Sequence, residues 1–228
     1  MKIAGAYLLH LRGQHLYLLP QRAIFWQEEK TLIVADVHLG KAHTFQRAGI
    51  AVPALSFHHD LMRLSELIKA SGAERLLVLG DFVHHRSGLT DTVVEDIRQW
   101  CSELAAELIV VLGNHDKPNR QILEQLPLTL CEPVWQCGPF IFSHDLFVQE
   151  KATAPEFRFL GHIHPVVNLP QMRLPVFAVY QDYCVLPAFS YFTGGAPVSR
   201  HELKLLFLPL EGGSVVPLPV IPVKIFKA

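Results

Sequence analysis

Seven residues able to ligate a metal lie in five short polar clusters of this chain: Asp36 with His38, Asp81, Asn114, His144, and His162 with His164. Each cluster follows an apolar, β-rich run, as Thr31-Leu32-Ile33-Val34 precedes Asp36. A strand that stops at Asp, Asn or His leaves a donor at the carboxyl edge of its sheet. Five such ends point to one site built from five loops. The chain has 13 histidines, and five of them (His38, His115, His144, His162, His164) sit in these clusters, a distribution that calls for chemistry.

The donors are oxygens and imidazoles without a thiolate. Such a set suits Mn²⁺, Fe or Zn²⁺ and is too rich in nitrogen for Ca²⁺ or Mg²⁺ alone. Seven donors exceed the four of a structural zinc, so the surplus points to two metals sharing a bridging carboxylate. Two such ions activate water and stabilise attacking and leaving oxygens in phosphoryl displacement, while a nearby imidazolium can protonate a leaving alkoxide. Asn114-His115-Asp116 offers a neutral ligand, an imidazole and a carboxylate able to orient that imidazole. In a strand-like Asp36-x-His38, and again in His162-x-His164, both side chains point to one side because strands alternate with period two. Glycine before Asp81, Asn114 and His162 suits sharp turns and close backbone approach.

The elements that position these residues change character along the chain. Residues 3–9 and 14–19 read as a hairpin, 24–26 as a short strand and 31–35 as a buried strand. Residues 37–53 read as a long connection, 54–69 as a helix, and 75–79 as a strand covered on both faces. A polar loop, 80–89, leads to a helix with Thr92-x-x-Glu95 as its capping box. A strand over 108–112 and a short helix over 118–126 follow. Beyond residue 127 the pattern is mostly β: 128–131, 133–136, 139–143, 157–160, 174–180, 183–186, 203–208 and 215–225. No linker or repeat separates βαβα from β, so the expectation is one α/β domain over 1–228, a central β-sandwich flanked by helices.

Composition narrows the partners. Half the residues are hydrophobic, 18% are charged, and the net charge is -1, so no global basic field holds nucleic acid. Lys41, His43, Arg47, His84, His85 and Arg86 follow the first two strand ends and offer a local basic rim for phosphate, or are ordinary loop charges. Cys101, Cys131, Cys137 and Cys184 form no C-x-x-C pair and read as reduced thiols of a cytoplasmic protein. Neither a signal peptide nor a membrane span is expected. Trp26, Trp100 and Trp135 read as core; Phe189, Tyr191 and Phe192 either pack or stack a base.

Asp36-x-His38, Gly80-Asp81, Gly113-Asn114-His115-Asp116, His144 and Gly161-His162-x-His164, in that order, resemble the signature set of the calcineurin-like metallophosphoesterases. The resemblance implies a four-layer α/β sandwich with its active site at the carboxyl ends of strands. It implies that Asp36, His38, Asp81 and His164 hold one metal and that Asp81, Asn114, His144 and His162 hold the other. Asp81 would then bridge, and His115 would serve as general acid and phosphate contact. Ala35 to Lys41, Arg47 to Pro53, Gly80 to His84, Leu186 to Phe189 and Phe192 to Gly195 further resemble the ligase-associated DNA damage response endonuclease branch, known as PdeM. That likeness implies a Mn²⁺-dependent phosphodiesterase acting on single-stranded DNA, with a DNA helicase and a DNA ligase as partners. Where the family often carries a further acidic or amide residue, this chain has Phe82-Val83-His84-His85.

Three functions compete on this reading: an endonuclease on single-stranded DNA, a phosphoesterase acting on cyclic nucleotides or nucleotide pyrophosphates, and a non-catalytic scaffold for repair. The near-neutral charge favours the second and the intact His115 disfavours the third. Fe, Zn²⁺ and Co²⁺ are alternatives to Mn²⁺, and the later β segments offer a surface for a homodimer.

Overall fold

The computed structural model describes residues 3–51, 56–146, 157–191, 193–199 and 201–220. The chain opens with an antiparallel hairpin, β1 (Tyr7–Leu11) and β2 (Gln14–Leu19), closed by Arg12 and Gly13, both with left-handed φ (52° and 76°). Two positive φ values in a row are what a two-residue hairpin turn demands. β3 (Ala23–Trp26) and β4 (Thr31–Val34) continue the sheet antiparallel. After α1 (Lys41–Arg47) and α2 (Ser56–Ser71), β5 (Arg75–Leu79) pairs parallel with β4. α3 (Asp91–Glu103), β6 (Glu107–Val111), α4 (Arg120–Leu123) and β7 (Thr129–Cys131) complete a seven-stranded sheet ordered β1 to β7.

A second seven-stranded sheet follows. It contains β8 (Val134–Cys137), β9 (Phe140–Ser143) and β10 (Phe157–Leu160). A small sheet is then built on β11 (Pro165–Leu169) and β12 (Met172–Pro175). The chain returns to the second sheet with β13 (Phe177–Val179) and β14 (Tyr183–Val185). β15 (Ala196–Pro197) joins the small sheet, and β16 (Leu205–Pro209) and β17 (Val215–Leu218) close the second. β9, β10 and β14 run parallel, so their carboxyl ends share one edge.

Alternation along the central strands explains the layering. Leu32, Val34, Leu76, Val78, Leu108 and Val110 face Leu61, Leu64 and Ile68 of α2 and Val93, Ile97 and Cys101 of α3. Ile33, Leu77, Leu79, Ile109 and Val111 face the other way, onto Phe140, Phe142, Phe157, Phe159, Phe177 and Phe207 of the second sheet. Continuous apolar runs are required because both faces are covered. The rings of Phe142 and Phe159 stack with centroids 5.5 Å apart, and Phe140 meets Trp26 edge-on at 5.0 Å. On the far face of the second sheet, Leu160, Ala178, Val185 and Leu206 pack with Val167 and Val198 of the small-sheet segment. Four layers result; among the described residues the helices cover one outer face and the three-stranded sheet lies on the other.

Several local expectations change. Residues 41–47 of the expected connection are helical, with Gly40 (φ 79°) turning the chain into α1. The turn works because Gly40 and Gly88 meet backbone to backbone; a Cβ on Gly88 would lie 2.2 Å from the Gly40 carbonyl oxygen. α3 starts at Asp91, capped by the Thr90 hydroxyl, which accepts from Val93 N at 3.3 Å, whereas Thr92 is an exposed residue of the first turn. The segment 174–180 is two strands in two sheets: Pro175 has no N–H to extend a ladder, and the chain changes sheet there. β11 and β15 lie outside the segments that the sequence pattern marks as strands. The start of the 54–69 helix, Val52-Pro53, Phe192 and residues 221–225 lie outside the described residues. Among the described residues, no helix is long and apolar enough to cross a membrane.

Candidate metal centre

Asp36 and His38 follow β4, Asp81 follows β5, Asn114 and His115 follow β6, His144 follows β9, and His162 and His164 follow β10. Every expected donor thus lies past the carboxyl end of a strand that runs parallel with its neighbour. The two sheets meet at this edge. Asp36 accepts from His162 N with both carboxylate oxygens, at 3.1 and 3.0 Å, which ties the first sheet's loop to the second's.

The convergence of Asp36 with His38, and of His162 with His164, does not come from strand pleating as expected. Asp36, His38, Asp81, His162 and His164 all have left-handed φ, between 50° and 67°, and make up five of nine such non-glycine residues described. Each costs on the order of 1 kcal/mol and persists only where surroundings over-determine it. Here backbone bonds do so: Asp36 N to Gly80 O (3.1 Å), His38 N to Asp81 O (2.8 Å) and Leu39 N to Phe82 O (2.8 Å). β4 itself stops at Val34, so pleat periodicity no longer applies at residue 36.

Two donor groups form. The ligand atoms of Asp36, His38 and His164 lie within 4.8 Å of one another, and so do those of Asp81, His144 and His162. Asn114 completes the second: His144 Nε2 lies 2.9 Å from Asn114 Oδ1, 3.0 Å from His162 Nδ1 and 3.5 Å from Asp81 Oδ1. In the first, His164 Nε2 lies 3.3 Å from Asp36 Oδ1. Neighbouring donors on a metal with bonds near 2.1 Å stand about 3 Å apart, so the spacing fits.

Tautomers agree with this reading. His144 Nδ1 donates to Leu79 O (3.0 Å) and His164 Nδ1 to Gly194 O (3.1 Å). A carbonyl only accepts, so each Nδ1 carries a proton and Nε2 is the ring atom turned toward the cluster. His144 Nε2 and Asn114 Oδ1, 2.9 Å apart, have the spacing of two donors on one cation. Buried His164 Nε2 and His38 Nδ1 have no hydrogen-bond partner among the described residues. Burial, helped by Lys41 and His164, pushes the His38 imidazolium far below its ordinary range, leaving the neutral form that ligates. Glycines admit the ligands: a Cβ on Gly80 would lie 2.2 Å from His144 Nδ1, and one on Gly113 2.2 Å from Asp81 Oδ1.

His115 stands at the rim, its Nε2 3.9 Å from Asp81 Oδ2. Its Nδ1 donates to the His84 carbonyl at 2.7 Å. That carbonyl, not Asp116, orients the imidazole. Asp116 is fully buried and accepts from Val83 N (3.0 Å) and Gly113 N (2.9 Å), stapling two loops, and burial raises its pKa to about 6. Sequence adjacency suggested the opposite, but consecutive residues here point apart. His84 itself joins the rim: it stacks on His115 with centroids 4.9 Å apart and forms a third donor group with His38 and His115. Burial, then Lys41, push His84 down to about 4.

Of the expected phosphate contacts, Lys41 is brought to the site, where burial lowers its pKa and the charges of Asp36 and Asp81 oppose that. Arg47 and Arg86 instead bond backbone carbonyls: Arg47 donates to Ser87 O at 3.2 Å and holds α1 to the 86–89 turn, while Arg86 donates to Leu89 O at 3.1 Å and closes that turn. Asp145, the alternative to His144, falls outside the three donor groups.

A sixth loop, after β14, reaches the same edge. Phe189 N donates to Ala35 O (2.8 Å) and Ser190 N to Asp36 O (3.4 Å). The loop is locked by Arg63 of α2, which donates to Phe189 O and Asp60 Oδ1 (3.1 Å each) and lies 4.1 Å over both the Phe189 and Tyr191 rings. These aromatics are therefore packed by guanidinium. The only hint in the sequence was the resemblance carried by Leu186 to Phe189.

Two sheets that deliver oxygen and imidazole donors from aligned edges to one cluster, with a histidine at its rim, define a metal-dependent hydrolase of phosphoesters. The chain belongs to the calcineurin-like phosphoesterase family, which it matches over residues 29–175 and whose members work with two metal ions. Among solved structures it is similar to the nuclease MPE of Pseudomonas putida, with 31% identity over 93% of this chain and 100% of that one and a TM-score of 0.80. It is also similar to the phosphoesterase Yfce of E. coli, with 16% identity over 84% of this chain and 99% of that one and a TM-score of 0.47. A comparison with curated protein sequences returned no significant match.

Proposed function

We propose that this chain is an endonuclease that hydrolyses phosphodiesters of single-stranded DNA in DNA repair, with Mn²⁺ as its metal. The observation that carries the hydrolytic part is His115, fixed by the His84 carbonyl with Nε2 3.9 Å from Asp81 Oδ2. The likeness to a nuclease across nearly the whole chain supports a nucleic acid as the substrate, and the sequence resemblance to the DNA damage response branch points to DNA among nucleic acids.

Asp36, His38 and His164 would hold one ion, Asn114, His144 and His162 the other, and Asp81 both. Two bound divalent ions would supply an activated water and neutralise charge on the phosphodiester. Asp81 stands between the second donor group and the rim histidine, its Oδ1 3.5 Å from His144 Nε2 and its Oδ2 3.9 Å from His115 Nε2. The His115 Nδ1–H is committed to a carbonyl, so Nε2 is the atom that passes a proton to the leaving oxygen. Lys41 meets the non-bridging phosphate oxygens from the loop after β4.

The test sets circular single-stranded DNA beside 2′,3′-cyclic nucleotides with Mn²⁺, Fe²⁺, Co²⁺ or Zn²⁺. Linearised circles support the proposal, because a circle has no end to trim. Turnover of cyclic nucleotides alone replaces it with the small-molecule reading, and no turnover of either refutes both.

A further inference from the structure

Beside the donor cluster lies a second cleft of about 130 Å³, walled by His164, Arg22, Arg173, Tyr191, Thr193 and Gly194. That volume is roughly four waters' worth, enough for a phosphate group and not for a nucleotide. His164 belongs to both sites, so a group in the cleft is one imidazole away from a group at the donor cluster.

The charges around the cleft are unequal. Arg22 is an ion-paired guanidinium: its Nε lies 3.1 Å from Glu211 Oε1 and its Nη1 donates to the Ala188 and Ser190 carbonyls. Arg63 and Asp60 pair behind it, and Tyr191 donates to Glu211. Arg173, on β12, is exposed, and no acidic residue lines the cleft with it. Among the described residues its guanidinium has no ion-pair partner. The opposite wall is rigid. Gly195 packs so closely that a Cβ there would lie 2.4 Å from Val166 Cγ1, and Tyr191 is held 4.7 Å beneath Arg22. A pre-shaped pocket with one uncommitted fork of donors is built to take an anion with several oxygens.

We propose that this cleft is a subsite for the phosphate next to the scissile one, with Arg173 as its principal ligand and Arg22 and the Tyr191 edge as its fixed wall. The proposal rests on the nuclease reading for the identity of the chain that carries both phosphates. It gives the enzyme a grip on polymeric substrate despite a net charge of -1.

Two esters separate the alternatives: the p-nitrophenyl ester of thymidine 5′-phosphate, with one phosphate, and that of a thymidine dinucleotide, with two. Arg173→Ala is expected to lower kcat/KM on the two-phosphate ester about tenfold more than on the one-phosphate ester, chiefly through KM. Arg173→Lys should recover part of the loss, and the salt dependence of oligothymidylate binding should become shallower by about 0.7 in log–log slope. Arg98→Ala, on the outer face of α3, is the control for a charge remote from the site. Equal losses on both esters, or none, overturn the subsite. A wild-type protein that leaves circular single-stranded DNA intact overturns the nuclease reading, while the ratio between the two esters still decides the cleft.

Discussion

Gly113→Ala adds one methyl group and removes no ligand, yet it should disable the centre. Gly113 has a φ outside the left-handed region, so alanine meets no backbone penalty there. The new Cβ would stand 2.2 Å from Asp81 Oδ1, 2.4 Å from Asp81 N and 3.0 Å from Asp81 Cγ. Ordinary contact begins near 3.4 Å, so roughly 1 Å of separation must be found. A rotamer change alone cannot supply it, because one of the crowded atoms is backbone. Asp81 is also pinned, accepting from His115 N on Oδ1 and from His38 N on its carbonyl. Overpacking of this size costs about 1–3 kcal/mol. Displacing a reacting group by about 1 Å costs on the order of 10²-fold in rate. Metal content by mass spectrometry, kcat on bis-p-nitrophenyl phosphate and a thermal melt measure the three effects. The expected variant is folded, with a lower melting point, fewer than two ions per chain and at least a hundredfold lower kcat. Gly13→Ala, at an open hairpin position with φ 76°, should lose stability alone. A Gly113→Ala protein with two ions and wild-type kcat would refute the placement of Asp81 at the heart of the centre.

His115→Ala should retain two ions and lose about 10² to 10⁴ in rate on DNA, but much less on an ester with a nitrophenolate leaving group; equal losses on both would remove its role as acid. Burial raises the Asp60 carboxyl from 3.8 to about 6 against the opposing charge of Arg63. The folded protein therefore holds this proton to about pH 6 while the unfolded chain releases it near pH 4, so stability should fall by about 2–3 kcal/mol as pH rises through that window. Urea midpoints of Asp60→Asn should lack this fall, and an unchanged pH profile would count against it. Thr90→Ala should cost about 1 kcal/mol through the lost cap of α3, and Thr92→Ala less than half that in the same urea titration.

The donor inventory was legible in the chain because metal ligation is selective about residue type, and a strand end in Asp, Asn or His is a local pattern. How the donors converge was not legible. Left-handed backbone at Asp36 and His164 is imposed by bonds to loops tens of residues away, and no local propensity announces it. Asp116 shows the same limit: its chemistry invited a partnership with its neighbour His115, while burial gave it Val83 and Gly113. The sandwich could be read from continuous apolar runs, whereas the small sheet could not, since β11 is half polar or exposed and β15 is two residues long, and both become strands only through pairing within that sheet. No local pattern distinguishes Arg63 from Arg173, yet packing makes the first a lock on the loop after β14 and leaves the second exposed beside His164.

The first sheet uses only residues 7–131 and the second only 134–218. The 85 residues of the second sheet's span, 134–218, follow the whole of the first, and at about 5–20 residues/s their synthesis takes about 4–17 s. Throughout that time Ile33, Leu77, Leu79, Ile109 and Val111 form a bare wall awaiting the phenylalanines. Asp36, Asp81 and Asn114 come with the first half, and His144, His162 and His164 with the second. Neither half holds the full donor set, so a chain interrupted before His164 carries no complete metal centre.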